Sequence, residues 1–110
     1  MTTITPDDID TAYAAAQETR LQYARAAANA MTAKEALRIA EAEAVRSGVL
    51  AEAKNDTARA AILREACALL HALLLGAETD EVRARGEHEA ACFEVQRVLA
   101  KLELMRLEKS

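Results

Sequence analysis

The sequence predicts an all-α protein. One long N-terminal helix is followed by a helical hairpin, giving a three-helix, coiled-coil-like bundle that assembles into oligomers. Three observations carry that prediction. Only three glycines and one proline occur in 110 residues, too few for the turns of an all-β or large α/β fold. Alanine supplies 27 of the residues, and aromatics are 3%. Between Pro6 and Gly48 no helix breaker occurs at all.

The first helix is expected over residues 6–47. Thr5 is its N-cap, Pro6 its first residue, and Asp7 and Asp8 fill the first turn. Thr5-x-x-Asp8 reads as a capping box, with Ile4 and Ile9 in the two positions of a hydrophobic staple. Ser47-Gly48 is the stop, with Gly48 in the left-handed position that favours glycine. Such a helix is roughly 60 Å long. Its large apolar residues (Ile9, Tyr13, Leu21, Tyr23, Met31, Leu37, Ile39 and Val45) hold no strict heptad, and alanines fill the rest of the inward face. Small residues there allow close helix approach.

Residues 48–55 form a joint. Asn55 or Asp56 caps a second helix over 56–75, which Gly76 ends. Its apolar face, richest from Ile62 to Leu75, is expected to be the best-buried part of the chain. A third helix is expected over 79–108, starting near Thr79 with Asp80 and Glu81. In it Ala84, His88, Ala91, Val95, Val98, Leu102 and Met105 keep 4-3 heptad spacing. Cys92, Phe93, Leu99, Leu104 and Leu107 are read as broadening that face. Glu81–Arg85, Arg85–Glu89 and Glu103–Arg106 are expected outer pairs. All 110 residues form one helical domain, and a chain this poor in bulky core is expected to bury a helix face on a second copy, as a dimer or higher oligomer.

No constellation for catalysis emerges. Neither serine, Ser47 nor Ser110, sits in a nucleophile elbow, and no glycine-rich phosphate loop exists. Glu-x-x-His pairs of di-iron bundles are absent. Glu78-x-x-Glu81 resembles half of the carboxylate motif of all-α nucleotide pyrophosphohydrolases, without the second half, and reads as first-turn charge. Cys67-x-x-x-His71 and His88-x-x-x-Cys92 offer zinc-type ligands, but a hairpin about Gly76 offsets the pairs by roughly 10 Å, so both read as core thiols beside histidines. No catalytic residue, cofactor or metal is expected. Asn55-Asp56-Thr57 matches a glycosylation sequon, which its capping role explains.

The net charge of −4 disfavours nonspecific duplex binding. A modest basic cluster, Lys54, Arg59 and Arg64 with Arg46 nearby, surrounds the joint, and Arg20 and Arg25 lie beside tyrosines on the first helix. The start of the chain, Met1-Thr2-Thr3-Ile4-Thr5-Pro6-Asp7, lacks the basic and apolar regions of a signal peptide, and the longest apolar stretch is too short for a membrane span. A cytoplasmic protein with reduced thiols is expected.

The joint carries a resemblance. Gly48-Val49-Leu50-Ala51-Glu52-Ala53-Lys54-Asn55-Asp56-Thr57-Ala58-Arg59-Ala60-Ala61 resembles a Gly…Lys-Asn-x-x-x-Arg-x-Ala element of small uncharacterised helical proteins of bacteriophages and prophages. The similarity covers residues 48–108, with the glycine farther from Lys-Asn than in that group. It implies a phage-type protein, acting in the host cytoplasm, in which Lys54, Asn55 and Arg59 fix the joint. The function expected from these observations is non-enzymatic protein interaction or assembly. Its rivals are an accessory nucleic-acid-binding protein of phage replication or recombination, drawing on Lys54, Arg59 and Arg64, and an inhibitor of a host enzyme, drawing on Asp7, Asp8, Asp10 and Glu18.

Overall fold

In the computed structural model, residues 3–109 are described; Met1, Thr2 and Ser110, which the signal-peptide and serine readings touch, lie outside them. The chain is all-α: α1 spans Pro6–Arg46, α2 Asp56–Ala66 and α3 Ala68–Glu108. No strand occurs among the described residues. No single helix is long and apolar enough to cross a membrane.

The start of α1 forms as the sequence dictates. The Asp8 amide donates to Thr5 Oγ1 at 3.2 Å, and the Thr5 amide donates to Asp8 Oδ2 at 2.9 Å, which completes the reciprocal capping box. At the other end the Ser47 amide reaches the Glu43 carbonyl, and Gly48 takes φ +83°, the conformation a Cβ would strain.

The second and third helices depart from expectation. The break falls at Cys67 and not at Gly76, so α2 ends nine residues early and α3 runs straight through Gly76. Cys67 alone makes the turn: its amide closes α2 onto the Leu63 carbonyl, and its carbonyl accepts the His71 amide that opens α3. Its backbone at φ −111°, ψ 23° is non-helical but allowed to any residue, so no glycine marks the spot. The two helices diverge there by 80°, and the Cys67 side chain is buried. An internal glycine costs a helix only about 1 kcal/mol. Half-buried Leu70, Leu74, Ala77 and Glu81 continue the 4-3 spacing on both sides of Gly76 and keep the helix intact. Thr79, expected as a helix start, instead donates its hydroxyl to the Leu75 carbonyl in mid-helix.

Two compact units divide the chain: residues 1–25 with 82–110, and residues 26–81. In the first, α1 and α3 run antiparallel. The Ile4 amide meets Met105 Sδ at 3.4 Å, while Thr19 meets His88, so rising numbers on one helix face falling numbers on the other. Ile4, Ala12 and Val98 form its core, flanked by Ile9, Val95 and Met105. In the second unit Ala30, Leu37 and Cys67 are the buried residues, and Leu37 and Leu74 line one groove of about 500 Å³.

The first helix does carry a strict heptad, contrary to the reading of its large residues. Ile9, Ala12, Ala16, Thr19 and Tyr23 in the first unit, and Ala26, Ala30, Ala33, Leu37, Ala40 and Ala44 in the second, are all buried or half-buried at 3-4 spacing. Small residues hold that stripe, so a search for bulky ones passes over it. The stretch expected to be best buried is not: Leu69, Leu73 and Leu75 are 73%, 55% and 67% exposed. Only one face of α3 meets a neighbour, and these three fall off it.

Candidate interaction surfaces

At the joint, the four residues singled out by sequence play different parts. Asn55 is the N-cap of α2: its backbone is extended, and Oδ1 accepts the Ala58 amide at 2.8 Å. Its carbonyl accepts the Arg59 amide at 3.0 Å. Lys54, Arg59 and Arg64 are exposed and enter no side-chain hydrogen bond or ion pair. The Arg59 guanidinium therefore does not hold the carbonyls at the end of α1. Arg59 and Arg64, five residues apart, point about 140° from each other around α2. Of the four, Asn55 fixes the joint, and the three cations do not converge on one point.

In the first unit the seam holds one polar layer. The Thr19 hydroxyl lies 2.8 Å from the Ala15 carbonyl, to which it donates, and pairs with His88 Nδ1 at 3.1 Å. Tyr23 stacks on the same imidazole, ring centroids 6.5 Å apart, and Cys92 Sγ lies 3.7 Å from Nε2. Tyr23 is thus the helix-contact tyrosine, whereas Tyr13 is half exposed. No three His, Cys, Asp or Glu side chains gather into a metal-binding group among the described residues.

A groove of about 350 Å³ opens beside the core of the first unit, lined by Ile4, Ala12 and Val98 and rimmed by Asp8, Glu94, Arg97 and Lys101. Its charges are already engaged. The Thr5 amide and hydroxyl hold the Asp8 carboxyl below the usual aspartate range. The Arg97 guanidinium holds Glu94 low in the same way, and Glu94 in turn raises Arg97. Arg97 Nε donates to Glu94 Oε2 at 2.8 Å. Both carboxylates at this rim are thus hydrogen-bonded and shifted down, away from neutral pH.

Elsewhere the ion pairs are solvated, as Arg38–Glu35 and Arg106–Glu103 show. The latter is the one expected outer pair that forms; Glu81 instead sits half-buried on the seam. Each such exposed pair contributes little to stability.

The feature that sequence reading misplaced is the far side of α3. Phe93, Leu104 and Leu107 do not broaden the seam; they are 69%, 59% and 59% exposed. Each lies two residues past a seam residue (Ala91, Leu102 and Met105), hence about 200° round the helix. The signal was in the sequence as a second 4-3 repeat, Gly86, Ala90, Phe93, Arg97, Ala100, Leu104 and Leu107, running in parallel with the first. No family model, curated protein or solved structure matches the chain.

Proposed function

We propose that this chain is a non-enzymatic helical interaction and assembly protein of phage or prophage origin, acting in the host cytoplasm by docking a protein partner on its helix faces. The supporting observation is the imbalance between surface and core. Seven apolar residues are buried among those described, whereas fifteen large ones, including Leu69, Leu75 and Phe93 on α3, are exposed. Large apolar surface of this kind marks sites of association. Affinity capture from the native host, followed by reconstitution of the captured protein with the purified chain, tests the reading. A stoichiometric complex is expected; turnover of a nucleotide or ester that a point mutation abolishes overturns it.

A second reading, an accessory nucleic-acid-binding protein, draws on the exposed and unpaired Lys54, Arg59 and Arg64. Salt-dependent binding of single-stranded DNA, weakened by Arg59→Gln and Arg64→Gln, is its expected signature. The absence of binding at low salt overturns it.

A further inference from the structure

The bend at Cys67 lies inside the second unit and has no local cause in the sequence. Arg64-Glu65-Ala66-Cys67-Ala68-Leu69-Leu70 contains no proline, glycine or serine, the residues at which helices usually kink. Every residue in it except Cys67 is a strong helix former.

The backbone shows how little separates the bend from a straight helix. A helix end leaves four carbonyls outside its ladder, and a helix start leaves four amides. Here the Cys67 amide takes the Leu63 carbonyl, and the His71 amide takes the Cys67 carbonyl. The carbonyls of Arg64, Glu65 and Ala66 remain at the end of α2, and the amides of Ala68, Leu69 and Leu70 at the start of α3. In an unbroken helix these groups are each other's partners, four residues apart. Turning Cys67 alone from φ −111°, ψ 23° to helical angles, by about 50° and 65°, brings them into register. Against those bonds, the bend buries Cys67 and half-buries Ala58, Ile62 and Leu63, while no residue of α2 is fully buried. Two arrangements that trade a few backbone bonds for a small buried face lie close in energy.

We propose that Cys67 is a hinge on which α2 swings between the bent state and a straight state in which α2 and α3 form one continuous helix. Straightening uncovers the Cys67 thiol and the face of α2 that carries Ala58, Ile62 and Leu63. The hinge is a property of this chain alone and does not depend on the interaction reading above.

Leu69, 73% exposed, gives a handle on the balance. In the straight helix it lies one turn after exposed Glu65, and its other helical neighbours, Ala66, Ala72 and Leu73, carry no charge. In the bent state it stands in the first turn of α3. Leu69→Lys therefore gains a Glu65 pair only when the helix is straight, and opposes the α3 dipole only when it is bent. Leu69→Glu does the reverse.

Nitroxides carried on p-acetylphenylalanine at exposed positions 57 and 78 leave both cysteines in place, and double electron–electron resonance on the full chain reads their separation. The two helix positions are about 24 Å apart at a bend of 80° and about 32 Å apart in a straight helix. The ratio of long to short distances is expected to be about tenfold higher in Leu69→Lys than in Leu69→Glu, and the difference to shrink in about 1 M salt. In a Cys92→Ser background, Cys67 is expected to be alkylated about tenfold faster in Leu69→Lys than in Leu69→Glu. Leu75→Lys and Leu75→Glu, at a residue 67% exposed in mid-helix in both states, are expected to give equal ratios. A distribution confined to the short distance in every variant overturns the hinge, and so do equal ratios in the two Leu69 variants. Faster alkylation with no longer distance is loosening of the whole unit, and it overturns the hinge as well.

Discussion

Gly76→Ala and Gly48→Ala are the same chemical change made on two backbones, and the structure gives them opposite signs. Gly76 lies inside α3 without positive φ, and a Cβ built there meets nothing within 4 Å. Alanine therefore gains the full helix-propensity difference, about 0.8–1.0 kcal/mol of added stability. Gly48 also has open space around its Cβ, but its φ of +83° is left-handed. Alanine there loses about 1–2 kcal/mol to the contact between Cβ and the following carbonyl. The two variants are thus separated by about 2–3 kcal/mol, although neither touches a neighbour. Urea unfolding followed by circular dichroism at 222 nm, at one fixed protein concentration, reads the difference. If Gly76→Ala destabilises as much as Gly48→Ala does, Gly76 is a left-handed helix stop, and the continuous α3 described above is wrong.

Three further outcomes are expected. Val98→Ala, in the core of the first unit at 3% exposed, loses about 2 kcal/mol: the two lost carbons and the cavity they leave outweigh the gain in helix propensity. Val45→Ala, 52% exposed, changes stability by less than about 0.5 kcal/mol; equal unfolding midpoints for the two refute the assignment of Val98 to the core. Asn55→Ala removes the cap of α2 and costs about 1 kcal/mol, with faster amide exchange at Ala58, and Asn55→Asp restores both; unchanged exchange at Ala58 refutes the cap. Because the folded carboxyl of Asp8 titrates below the unfolded one, its contribution is complete above the usual aspartate range and is lost as pH falls through the folded value. The stability gap between wild type and Asp8→Ala is therefore steady from about pH 5 to 7 and closes below about pH 4, whereas a gap that widens in acid contradicts the capping box.

How much of this was legible in the sequence depends on whether the signal was local. Thr5, Asp8, Gly48 and Asn55 act through bonds to residues at most four positions away, or through their own φ angle, and all four take the roles their neighbours dictate. The break at Cys67 is different in kind. Its backbone angles suit any residue, and its position is set by which residues can keep phase with α1, a property of the pair of helices. Gly76 looked like punctuation because glycine is the usual C′ residue, but the penalty for keeping it helical is small beside the packing of a whole seam. The basic residues at the joint misled in the same way. Proximity in sequence made Lys54, Arg59 and Arg64 a cluster, and the pitch of α2 spreads the two arginines apart.

Alanine is the deeper reason that the surfaces were misread. A heptad is usually found by its large residues, and here five of the eight large residues of α1 are exposed, while Ala12, Ala16, Ala30 and Ala33 hold most of the seam with Ile9, Tyr23 and Leu37. Once the seam is assigned to small side chains, the large ones left over require another explanation. On α1 they are scattered and need none, since single exposed apolar residues are ordinary. On α3, Phe93, Leu104 and Leu107 fall two residues past seam positions, on the solvent side of the helix. In the first unit α1 covers one face of α3 with alanine and other small side chains, so the bulk that the composition promised to a core stands instead at Phe93, Leu104 and Leu107 on the solvent side.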